Sequence, residues 1–127
     1  AYEIFKKNKL FGIGIKNFRN LSYDDKFNPF ENVNGGSTHP HQIHFEFLSE
    51  TGLFGYVSFL IFILASLFLS IKNYLKFKNF YQLMAILYIS ASLIPLLPSG
   101  SFFSTYSSIL FWINYAIMVS YIKKTKF

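Results

Sequence analysis

Two long runs without a charged residue constrain this chain more than any other feature. Thr51 to Ile71 gives 21 residues, and Asn79 to Ile122 another 44, with no Asp, Glu, Lys or Arg. A water-soluble domain of 127 residues would distribute its charge over its surface instead. Runs of this length suit lipid, where a spanning helix needs about 20 apolar residues. The sequence therefore predicts an all-α polytopic membrane protein. Residues 1–44 form an external segment with short amphipathic helices, and residues 45–127 hold three transmembrane helices, at about 50–71, 80–97 and 102–122. The basic stretch KNYLKFKN (72–79) is expected as a short turn between the first two spans. The uncharged PSGS (98–101) returns the chain to the third, and Pro95 sits where an unwound last turn costs least.

Charge placement orients the spans. Lys and Arg outnumber Asp and Glu by 12 to 6. Lys72, Lys76, Lys78, Lys123, Lys124 and Lys126 flank apolar spans, so half of the basic side chains belong on a cytoplasmic side. The segment before residue 50 is then external, and its Lys6, Lys7, Lys9, Lys16, Arg19 and Lys26 call for an anionic substrate. Nucleic acid is disfavoured as a partner, because topology accounts for half of the charge and no reading element is present. With no cysteine, neither a disulfide nor a cysteine-ligated metal forms. The chain starts at Ala1 without an initiator Met and has no early apolar run, so no signal peptide is expected and the chain reads as part of a longer protein.

Candidate chemistry concentrates at 39–55, HPHQIHFEFLSETGLFG. Pro40 suits a first helical turn, so the first long helix is expected to start there with His41 in its opening turn. The helix dipole disfavours an imidazolium at that place, and a neutral imidazole accepts a hydroxyl proton. His41 and His44 share a face at a spacing of three. A zinc site is chemically open to imidazole and carboxylate, yet HPHQIH is not HExxH, and Glu46 lies about 200° around the helix from His44. A solvated cap remains the plain alternative for His41. Glu50 stands just outside the first span, where it pairs with a basic residue or binds a sugar hydroxyl. Gly52 and Gly55, one turn apart, permit close packing. Upstream, Gly12 and Gly14 allow tight backbone approach before Arg19, the only arginine, whose planar fork matches phosphate. In the last span Ser104, Thr105, Tyr106, Ser107, Ser108 and Asn114 either bond back to their own helix or face further helices.

LFGIGIKNFR (10–19) and THPHQIHFEFLSETGLFGYVSFL (38–60) together resemble the end of the large external loop and the following helix in the O-antigen ligase and O-antigen polymerase superfamily. The family pattern is His, then Asn, Ser or Gln, then nine residues and Gly-x-x-Gly. His41-Gln42, Ile43 to Thr51 and Gly52 to Gly55 fit it, and SGSFF before a Trp112-bearing last helix is also similar. The resemblance implies the C-terminal part of a glycosyltransferase type C-like helical fold in a bacterial inner membrane, multi-pass, with its active face periplasmic. It implies transfer or polymerisation of a glycan from an undecaprenyl-pyrophosphate carrier to an acceptor sugar, such as an acceptor glycan or lipid A core, without a cofactor or metal. His41 and Arg19 are the implied catalytic residues. Arg19, Lys16, Gln42, His44 and Glu50 are placed on the substrate side, and Gly12, Gly14, Pro40, Gly52 and Gly55 are structural. Membrane lipids and the remaining helices of a full-length protein or partner subunit are the expected surroundings. A metal-dependent membrane hydrolase and a non-catalytic transporter or structural subunit with interfacial histidines are the competing readings.

Overall fold

The computed structural model describes residues 1–24, 27, 37–95 and 97–122. Among them the chain is all-α without strands: α1 (Tyr2–Lys7), α2 (Phe18–Leu21), α3 (Ile43–Phe77), α4 (Phe80–Ser92) and α5 (Thr105–Ser120). Only α3 is both long and apolar enough to cross a membrane among the described residues. The rest of the chain buries 17 % of its most apolar stretch, so most of those side chains face outward, an arrangement consistent with membrane association. The other two expected spans are shorter. At ~1.5 Å per residue, the 13 residues of α4 and 16 of α5 reach about 20 and 24 Å, less than the ~30 Å hydrocarbon thickness. Multi-pass topology therefore does not follow from helix length.

Local chemistry explains where the boundaries depart from expectation. The first long helix begins at Ile43 rather than Pro40, because Gln42 is extended and its side chain accepts from Phe45 N at 2.9 Å as an N-cap. It continues to Phe77, so the anticipated basic turn shrinks to Lys78 and Asn79. Lys78 takes a left-handed conformation (φ 53°) and donates its N–H to Tyr74 O, while Asn79 caps α4 by accepting from Gln82 N. Helix α4 stops at Ser92, not near 97. Leu93 N and Ile94 N turn back onto Ser90 O and Ala91 O, and Pro95 has no N–H to extend the ladder. The KKTKF tail lies outside the described residues.

Helix α4 packs along α5, and both lie against α3 through Ile63, Leu67, Ala85, Ile86, Ile89, Phe111 and Met118. An aromatic cluster closes the end nearer the histidines, where Phe47 stacks on Phe59 at 4.1 Å and Phe102 contacts Phe47, Phe111 and Trp112. At the basic end the buried Gln82 accepts from Asn73 and donates to Met118 O, tying all three helices together. The polar residues of α5 divide in use. Ser108 and Asn114 bond back to Ser104 O and Leu110 O of their own chain segment. Thr105, Tyr106 and Ser107 instead face a cavity.

Helix α3 is broken at Gly52, whose φ 69° and ψ −168° are not helical. The break is filled by residues 9–14. Ile13 N and Gly14 N donate to Ser49 O and Glu50 O at 3.0 and 2.9 Å, and Leu53 N and Phe54 N donate to Lys9 O and Leu10 O at 2.8 and 3.2 Å. Every group so engaged belongs to one turn on either side of the break, so the second segment supplies what the helix ladder loses. Gly12 (φ 67°) makes the crossing possible, because a Cβ there would fall on the Glu50 carbonyl and 2.6 Å from Gly52 N. A Cβ on Gly52 would in turn overlap Leu10 O. Gly12 and Gly14 thus meet Gly52 at one junction, and the freedom of Gly12 brings backbone to backbone.

Candidate functional site

Glu50 organises the loop that carries the basic side chains. Its carbonyl accepts from Gly14 N, and its carboxylate accepts from Lys16 N at 2.7 Å and Phe18 N at 3.2 Å. Alternate amides of residues 14, 16 and 18 therefore converge on one glutamate. Gly14 (φ 92°) and Lys16 (φ 64°) supply the left-handed turns this path requires. Phe18 is buried beneath the loop, while the Lys16 and Arg19 side chains are exposed on its outer side. Glu50, expected to pair with a basic residue or bind a sugar hydroxyl, is 3 % exposed, and both of its carboxylate oxygens accept from backbone amides of this loop.

Lys16 and Arg19 share a 420 Å³ cavity with Thr38, His39, Glu50 and the stretch from Gly100 to Ser107 other than Phe102. The opposite wall is fixed by Glu46, which is 1 % exposed. Its carboxylate accepts from Ser101 Oγ at 2.5 Å and from Phe102 N at 2.6 Å. The Ser-rich start of α5 is thereby turned toward the loop bearing Arg19.

His41 does not occupy the first turn of α3. It precedes the N-cap residue with φ 36°, exposed, and its carbonyl accepts from Ser99 N at 2.9 Å. Its ring lies 4.2 Å from that of His39, and its Nε2 is 3.4 Å from Ser37 Oγ. The helix-face pairing of His41 with His44 is not formed. His44 points elsewhere, its ring nitrogens 2.9 Å from Tyr56 Oη and from Leu93 O. Gln42 is likewise consumed, capping α3 and donating to Pro95 O at 3.0 Å. Both residues, expected on the substrate side, instead hold the end of α4 against the start of α3. Pro40 lies before the cap rather than in the helix, and Gly55 packs on Thr51 within α3.

His39, Thr38, Ser101 and Phe103 to Ser107 are cavity residues that sequence reasoning passed over or assigned to helix packing. The HPH spacing held the only hint, since a proline between two histidines forces the chain out of helical geometry and lets the rings meet. Lys26 lies outside the described residues, and no group of three metal-ligating side chains gathers among those described. The arrangement offers two cations, the His39 imidazole and several hydroxyls around one opening, with the His41 ring against His39. That inventory suits a polyanionic ligand and proton transfer to or from a hydroxyl. Comparison with protein families, with characterised proteins and with solved structures returns no match.

Proposed function

We propose that this chain contributes to transfer or polymerisation of a glycan from an undecaprenyl-pyrophosphate carrier to an acceptor sugar. On this reading it is the C-terminal part of a glycosyltransferase type C-like, multi-pass protein of a bacterial inner membrane, with the cavity on the periplasmic face. Further helices of the same protein or of a partner subunit cover the outward apolar faces of α3, α4 and α5. The observation that carries the reading is the meeting of Lys16, Arg19 and His39 on one cavity, with the His41 ring against His39. The resemblance in residues 10–60 assigns that combination its reaction.

In the proposed step the acceptor hydroxyl oxygen attacks the anomeric carbon. The bond from that carbon to the pyrophosphate oxygen breaks, its electron pair leaving with the lipid diphosphate. The hydroxyl proton passes to the His41 imidazole, with His39 beside it as orienting neighbour. Arg19 and Lys16 neutralise the charge that grows on the leaving diphosphate. A diphosphate departs without a general acid, and the mechanism uses no metal or cofactor.

The test is transfer in vitro from a lipid-pyrophosphate-linked glycan to defined acceptors, including lipid A core. His41→Ala is expected to lower turnover by ~10²- to 10⁴-fold, the scale of a lost general base. Arg19→Ala is expected to weaken use of the lipid-pyrophosphate donor. Transfer that survives His41→Ala overturns the assignment of the base. Absence of transfer with every donor and acceptor favours a non-catalytic transporter or structural subunit, a reading to which the packed His44 lends its weight.

A further inference from the structure

Two buried carboxylates one helical turn apart, Glu46 and Glu50, hold opposite walls of the cavity. Glu50 gathers Lys16 N and Phe18 N and so fixes the loop whose Lys16 and Arg19 side chains line one wall. Glu46 gathers Ser101 Oγ and Phe102 N and so fixes the chain leading into Ser104 to Ser107 on the other. The cationic wall has only the four-residue α2, and the hydroxyl wall enters α5 through residues 97–104, which form no helix. Side chains at i and i+4 leave a helix on the same side, so the distance between the walls is set by one rigid turn of α3. That turn is itself locked below by the junction at Gly52. We infer that Glu46 and Glu50 are a positioning pair that sets the width and register of the cavity, Glu50 acting on the cationic wall and Glu46 on the hydroxyl wall. Both are buried, and each of the four carboxylate oxygens accepts from the chain, so what they hold is the backbone of each wall. The functional consequence rests on the reading of the cavity as a pyrophosphate site; the geometry does not.

The two carboxylates differ in what they tolerate. At Glu46 one donor is a hydroxyl, which rotates to accept from an amide NH2, so Glu46→Gln keeps both contacts. At Glu50 both donors are backbone N–H groups, and Glu50→Gln sets an NH2 against one of them. Absence of cysteine lets the walls be labelled directly. Nitroxides on Asn20→Cys and Ile109→Cys report the wall-to-wall distance of the full chain in nanodiscs by pulsed electron resonance, and a Leu87→Cys, Ile113→Cys pair reports the α4 and α5 packing. The expected result is a narrow wall distance in the parent and in Glu46→Gln, and a broadened one in Glu50→Gln and Glu46→Ala, with the α4 and α5 distance unchanged. In unlabelled protein, Kd for inorganic pyrophosphate rises roughly tenfold in Glu50→Gln, the scale of one charge-assisted hydrogen bond. Arg19→Ala weakens pyrophosphate binding at an unchanged wall distance, which separates binding from positioning. A narrow wall distance in Glu50→Gln, or loss of the α4 and α5 distance together with it, overturns the inference. Broadened walls with no pyrophosphate binding by the parent uphold the positioning pair and reject the pyrophosphate reading alone.

Discussion

At the scale of single residues, the histidines and glutamates exchanged the roles their spacing suggested. His41 and His44 read as neighbours on one helix face, but His44 serves the packing of α3 against α4, and His39 joins His41. His44→Phe is expected to cost about 1–2 kcal/mol, since it strips partners from Tyr56 Oη and Leu93 O. Chemical denaturation in micelles measures it.

The junction between residues 9–14 and the broken α3 carries the predictions that belong to whole elements. Gly12 and Gly52 combine a positive φ with backbone packed where a side chain would stand, whereas Gly14 has positive φ and, 3.0 Å from a built Cβ, only the Asn17 side-chain amide. A left-handed alanine costs ~1–2 kcal/mol by conformation alone, so Gly14→Ala is expected near that range. Gly12→Ala and Gly52→Ala are expected to cost distinctly more, seen as lost protection of the Ile13, Gly14, Leu53 and Phe54 amides in hydrogen exchange. Helix α3 itself was legible, because apolar content is a local property. Its interruption was not. Gly52 sits inside an apolar run that reads as continuous helix, and the groups that make a break tolerable lie 36 to 44 positions upstream.

For the molecule as a whole, α3 separates the histidine end from the Lys72, Lys76 and Lys78 end. Cysteines placed singly at Ser37 and at Lys76 in reconstituted vesicles are expected to react with an impermeant thiol reagent from opposite sides. Reaction of both from one side means that α3 does not cross. The sequence by itself determined the helical class and the outward apolar surfaces, because hydropathy and charge spacing act over a few residues. It also singled out Lys16 and Arg19, which the structure brings to one cavity. Tertiary structure alone decided that Glu50 holds the loop, that Gln42 is a cap, and that the start of α5 forms a cavity wall. Each of those decisions depends on which buried donor finds which acceptor. In a chain so poor in charge, that pairing is fixed only when distant segments close over one another.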